Sequence, residues 1–241
     1  MKPQDALTIG EVAANFGWST RFVEGLVRSE KIPGLHINGQ FLFRREDIID
    51  WLDQKIQTLD ARRLSELEKK LEADLDEASA SKAILSHRLF DSLDKRAIQL
   101  GLPLSSKRTV LDALVGLAVA TGNVLDDKHL LASLIERESL LRTALPGGLA
   151  ICHPRRPLPS AISDTVVAFL RTREPIAFGA EKGEKTHLFF LLCAPDDHSH
   201  LHGLSRLARV LRTETIDQLK SEEITTPEEV LALLRETVAA L

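Results

Sequence analysis

The sequence predicts an α/β protein: a mixed sheet covered by helices on both faces, preceded by a small helical unit with a β-wing and by a charged helix. Three observations predict it. The second half alternates amphipathic helical stretches with short, wholly apolar runs, of which 188–193 is the most complete. Such runs mark strands buried on both faces. Residues 7–53 pack helix, turn, helix, hairpin and helix signals into one short unit. Between these parts, residues 55–86 contain no Gly or Pro and are rich in Glu, Lys, Asp, Arg, Ala and Leu. The expected domains are therefore 1–55, 56–86 and 87–241.

In the first unit, Ile9, Val12, Ala13 and Phe16 recur at helical spacing and stop at Gly17 and Trp18. Ser19 is a candidate N-cap for a second helix with Phe22, Val23, Leu26 and Val27 on its apolar face. Ile32, Pro33 and Gly34 end it. The stretch 35–43 reads as a hairpin about Asn38-Gly39, a strong turn signal. Arg44, Arg45, Glu46 and Asp47 open a last helix carrying Ile48, Ile49, Trp51 and Leu52. That is a winged helix-turn-helix order. The ordered residues 7–13, 17–19 and 39–48, with Trp51 and Leu52, closely resemble the excisionase-type DNA-binding domains, which sit beside the MerR-like winged helices. The resemblance implies DNA contacts from Ser19, Thr20, Arg21 and Arg28 on the recognition helix, and from Arg44 and Arg45 after the wing. Against this, residues 1–55 hold seven Lys/Arg and eight Asp/Glu, a net of −1. Phosphate contacts dominate affinity for DNA, so one copy should bind weakly. DNA binding and protein docking both stay open for this unit.

Residues 56–86 carry Leu64, Leu67, Leu71 and Leu75 at spacings of three and four, a helix with one apolar stripe. Asp74 falls where a strict heptad wants the next apolar residue. The stripe is read either as a homodimeric coiled coil or as a face packed on the chain's own domains.

In 87–241, Lys107 and Arg108 open a helix through Val110, Leu111, Leu114, Leu117 and Ala118. Asp126 or Asp127 caps another through Leu130, Leu131, Leu134 and Ile135. Strands follow at 149–151, 166–170 and 188–193, then helices near 199–212, 214–221 and 227–240. Arg137-Glu138, the run 148–153, the run 174–178, the run 188–195, and 200–205 with Leu207 and Ala208 together resemble the IIA domains of the bacterial phosphotransferase system. The resemblance is to the fructose/mannitol type, which includes the nitrogen-regulatory IIA proteins. It implies that His153 accepts a phosphoryl group from a histidine phosphocarrier, that His200 is the second active-site histidine, and that Arg137 lies beside them.

Elementary chemistry agrees with that assignment. A neutral imidazole is a good nucleophile near neutral pH, its ordinary pKa being about 6.5. Phosphoryl transfer asks mainly for in-line positioning and donors for spread negative charge. A helix beginning near Ser199 would turn free N–H groups toward a bound phosphate. Arg155 and Arg156 are candidates for outer charge compensation. Two features depart from the family pattern. Cys152 precedes and Pro154 follows His153, where the family usually has Pro and Gly. The family's small Ser-Thr-Gly stretch is replaced by Leu141, Arg142, Thr143, Ala144 and Leu145. Pro154 restricts His153 to extended conformations.

The triplet His198, His200 and His202 invites a metal reading. On a helix only His198 and His202 share a face, and no metal or other cofactor is expected. Cys152 and Cys193 lack CxxC spacing, which suggests a reducing compartment without a disulfide framework. Composition is 44% hydrophobic and 27% charged with a net charge of −4, which gives no global bias to nucleic acid or anionic membranes. The start lacks a signal-like apolar run and no stretch approaches the ~18 apolar residues of a span, so a cytoplasmic address without membrane insertion is expected. Two accounts follow from the sequence. One is a regulator whose phosphorylation at His153 is coupled to a DNA- or protein-binding helix-turn-helix, reporting sugar or nitrogen status. The other is a IIA-like scaffold that has lost the chemistry and only docks.

Overall fold

The computed structural model describes residues 6–16, 19–29, 32–58 and 93–240. The first unit is β1 (Ala6–Thr8), α1 (Ile9–Phe16), α2 (Thr20–Ser29), β2 (Leu35–Ile37), β3 (Gln40–Arg44) and α3 (Arg45–Thr58). Its three strands pair antiparallel in the order β1-β3-β2. The hairpin turns on Asn38 (φ 50°) and Gly39 (φ 79°), the two positive φ values that a two-residue turn between twisted strands requires. Ser19 caps α2 as expected, its Oγ accepting from the Phe22 N–H at 3.2 Å. Val12, Val23, Phe43, Ile48, Ile49 and Leu52 form the buried interior. Strand β1 was not foreseen; three residues next to a helix carry too little alternation to announce a strand. The expected charged helix lies, beyond residue 58, outside the described residues.

The second unit starts with β4 (Ile98–Leu102), followed by α4 (Lys107–Val119), α5 (Asp127–Leu140), β5 (Ala144–Leu145) and β6 (Leu149–Cys152). It continues through β7 (Val166–Ile176), β8 (Thr186–Cys193), α6 (Asp197–Val210), α7 (Thr213–Lys220) and α8 (Pro227–Ala239). Ser106 caps α4 in a reciprocal box with Thr109, and Asp126 rather than Asp127 caps α5 through the His129 N–H at 2.9 Å. Each such cap satisfies a donor that the first helical turn leaves unpaired.

The five strands run in the order β4-β7-β8-β6-β5. β4 is parallel to β7 and β6 to β8, while β7–β8 and β5–β6 are antiparallel. The sheet is mixed, as predicted. From Leu188 to Cys193 every residue of β8 is buried, as are Val166 to Leu170 of β7, so both faces are covered. Phe189 meets Phe178 with ring centroids 4.9 Å apart, and the Lys107 ammonium at the start of α4 lies over Phe178. Leu192, of opposite parity on the pleat, faces Gly203 of α6. Strand β7 runs six residues past the expected 166–170. There the apolar run gives way to polar residues while pairing with β8 continues, Arg171 opposite Leu188 and Ile176 opposite Thr186. The two units touch: α3 packs on α6, and α1 contacts it too.

Candidate functional site

β6 is the central positioning element. Its register with β8 sets Cys152 opposite Leu191, and the chain leaves the sheet at His153, which is fully buried. His153 Nδ1 lies 2.8 Å from the Ile151 carbonyl oxygen. A carbonyl can only accept, so this contact places the ring proton on Nδ1. The Arg137 Nε–H donates to His153 Nε2 at 3.2 Å, which requires a lone pair on Nε2. Both contacts select the same tautomer, with the proton on Nδ1 and the lone pair on Nε2.

His200, on α6 and also fully buried, places its ring 5.4 Å from that of His153, edge to face at 63°. The structure thus brings together the three residues singled out for chemistry: His153, His200 and Arg137. Arg137 is 1% exposed, so its charge is held where water screens it least.

Behind the first residues lies a polar network that sequence reasoning missed. Glu138 accepts from the Lys107 ammonium at 2.7 Å and from the Thr143 N–H at 3.2 Å, and the Thr143 hydroxyl also donates to it. Thr143 stands 3.7 Å from the Cys152 sulfur, and its carbonyl accepts from the Ile151 N–H at 3.2 Å. The end of α5 is therefore tied to β6 on either side of the site. The Arg137-Glu138 dipeptide was visible in the sequence, but nothing in it announced that Glu138 would reach Thr143. Burial, with the nearby Glu138 carboxylate adding to it, pushes the Cys152 thiol up. That keeps it protonated and a poor metal ligand or redox group.

Helix α6 begins at Asp197, two residues before the expected start. Asp196 is its cap, accepting from both the N–H and the hydroxyl of Ser199 at 2.8 Å, and its carbonyl accepts from the His200 N–H at 3.0 Å. The chain itself therefore uses the N–H groups of Ser199 and His200. His202 is buried alongside His200, because α6 is enclosed by the sheet on one side and by α3 on another. Among the described residues, no group of three or more His, Cys, Asp or Glu side chains is clustered so as to hold a metal ion.

Of the residues proposed for DNA, Ser19, Thr20, Arg21 and Arg28 are exposed along α2. Arg28 pairs with Glu24 at 3.1 Å, and Arg44 with Asp47 at 2.9 Å. Arg45 is apart from that group, since it forms an ion pair with Asp197 of the second unit. Arg155 bonds Asp50, and Arg156 bonds Glu46, both acids lying on α3. Neither arginine is free to serve His153 in this arrangement. No helix among the described residues is long and apolar enough to cross a membrane.

The chain is similar to known proteins over both of its units. Residues 91–237 match the family model "Phosphoenolpyruvate-dependent sugar phosphotransferase system, EIIA 2", and residues 6–56 match a helix-turn-helix domain model. The fructose-specific EIIA component of Haloferax volcanii is 34% identical over 139 residues, covering 56% of this chain and 88% of that protein. The fructose-specific EIIABC component of Bacillus subtilis is 27% identical over 131 residues, 54% of this chain but only 20% of that protein. The crystal structure of nitrogen regulatory protein IIA-Ntr from Neisseria meningitidis superposes with a TM-score of 0.54 at 29% identity. It covers 61% of this chain and 98% of that one.

Proposed function

The chain belongs to the phosphoenolpyruvate-dependent sugar phosphotransferase EIIA 2 family, with a helix-turn-helix domain ahead of its IIA domain, and from that premise we propose that it is a regulatory phosphoryl acceptor. The acceptor is His153 Nε2, and the donor is a phosphorylated histidine carrier of the same system. The observation that carries this reading is the Arg137–His153–His200 arrangement, in which a nucleophilic Nε2 faces a buried guanidinium with a second imidazole beside it.

The Nε2 lone pair attacks phosphorus while the bond from phosphorus to the carrier's imidazole breaks, and its electron pair stays on that imidazole. His153 keeps its Nδ1 proton, and the Ile151 carbonyl steadies the cationic ring that forms. Arg137 leaves Nε2 as the bond forms and meets the phosphoryl oxygens instead, a charge-assisted contact. His200 flanks the transferred group. The helix-turn-helix unit, whose α2 side chains Ser19, Thr20, Arg21 and Arg28 are exposed, delivers the output to DNA or to a protein. A nitrogen-regulatory role rests on similarity to the IIA-Ntr structure.

A second reading, a IIA-like scaffold without chemistry, draws on the complete burial of His153 and on Pro154 after it. One experiment separates the two. The purified chain is incubated with phosphoenolpyruvate, Enzyme I and the histidine phosphocarrier, and its intact mass is read at mildly alkaline pH. Gain of a single acid-labile phosphoryl group that His153→Ala abolishes supports the acceptor. An unchanged mass supports the scaffold.

A further inference from the structure

The residues flanking the histidine pair hold the N-terminal unit. Asp197 lies three residues ahead of His200 on α6, and its side chain is 1% exposed beneath Arg45, the first residue of α3. On the other side, Arg155 follows His153 by two residues. Its Nε reaches both oxygens of Asp50 at 3.1 and 3.2 Å, and its Nη1 lies 3.4 Å from Glu46. Arg156 pairs with Glu46 as well. Helix α3 is thus fastened at its first turn to the helix of His200 and along its flank to the loop after His153. Further along, Ile56 helps to line a half-open pocket of about 270 Å³ of mixed polarity with Leu149, Ile151, Ala208, Arg212 and Thr213. The charges are complementary in both directions: a base on α3 meets an acid on α6, and acids on α3 meet bases on the loop. Both histidines are 0% exposed, whereas transfer between proteins needs reacting atoms about 3–3.5 Å apart.

We infer that the N-terminal unit is a reversible cover, and that the face around His153 and His200 takes one of two occupants at a time, α3 of this chain or a phosphocarrier. The consequence for phosphorylation rests on His153 being the acceptor; the docking itself rests only on the ion pairs and the packing. The fastening is made of ion pairs partly open to water, contacts that exchange readily and weaken with salt. An incoming partner must replace Glu46 and Asp50 with negative charge of its own to satisfy Arg155 and Arg156. A phosphorylated donor brings that charge with it.

The test uses the full chain. Wild type, the double variant Glu46→Lys with Asp50→Lys, and Arg45→Glu are treated with diethyl pyrocarbonate, and carbethoxylation at His153 is followed by peptide mass mapping. Circular dichroism checks that each protein is folded. Opening from either fastening should speed labelling of His153 by about 10-fold or more, the apparent rate following the open fraction. Phosphorylation by the carrier should rise in the same order. Added salt should speed labelling of the wild type without any substitution, which keeps the test decisive if a variant does not fold. Equal labelling in all folded proteins, with no response to salt, overturns the cover. Faster labelling with no phosphorylation in any of the proteins leaves the cover standing and removes His153 as an acceptor.

Discussion

At the histidine pair the two ring nitrogens of His153 have separate duties, one anchored to the Ile151 carbonyl and the other presented to Arg137. Arg137→Ala is expected to slow single-turnover phosphorylation by about 10²–10³, the usual cost of removing one preorganised donor. Arg137→Lys should recover little of it, because an ammonium lacks the planar fork; a rapid-quench rate equal to wild type for either variant would dismiss this role. Asp197 offers a second test. Burial raises its carboxyl above the usual carboxylate range, while the Arg45 hydrogen bond and charge pull it back down. Arg45→Ala should therefore raise it further, visible in the carboxyl carbon shift on titration. The sign follows from linkage. A carboxyl raised in the folded state contributes its full stability below its unfolded pKa and loses it as pH rises through the folded value. The variant's deficit should then be largest near neutral pH and fade in acid, where Asp197 is protonated; a pH-independent deficit in urea unfolding would contradict it. His153, His200 and Arg137 could be singled out because each falls in a motif of the family that the sequence resembles, and the structure places them together. The Arg45–Asp197 pair was not, since partners 152 residues apart leave no local signal.

Helix α6 shows how an element's exact start depends on contacts that periodicity does not encode. The spacing of Leu201, Leu204, Leu207 and Leu211 made it legible as a helix, yet its start lies at Asp197, set by the bonds Asp196 makes to Ser199. Its closeness to the sheet depends on Gly203. A Cβ there would stand 2.8 Å from Leu192 Cδ1 and 2.9 Å from Cδ2, and Leu192 is fully buried. Gly203→Ala gains up to ~1 kcal/mol of helix propensity but overpacks a filled core, which costs about 1–3 kcal/mol. A net loss of stability is expected in urea unfolding, together with slower phosphorylation as His200 is pushed off its place; a stabilised variant would show that the helix can shift without cost. The strands were read from their apolar runs. Strand β4 was missed because Gln99 and Gly101 break its run, and the polar end of β7 because hydrogen bonding rather than hydrophobicity carries it onward.

At the scale of the whole molecule, the sequence separates a winged unit from an α/β unit but says nothing of how they meet. That contact joins charged surface residues, and charge at a surface is read from sequence as solvated. In the structure Arg45 holds Asp197 where α3 meets α6. If the cover is reversible and His153 is the acceptor, as proposed, phosphorylation at His153 and release of Arg45 belong to one equilibrium, in which each favours the other. That coupling depends on where the phosphoryl group goes. The most direct measurement is phosphorus–proton correlation NMR of the chain, with histidine labelled with nitrogen-15, after treatment with phosphoenolpyruvate, Enzyme I and the histidine phosphocarrier. The account predicts a single phosphohistidine at His153, bonded through Nε2 with Nδ1 still protonated. A phosphoryl group on Nδ1, on another histidine, or on none would contradict it.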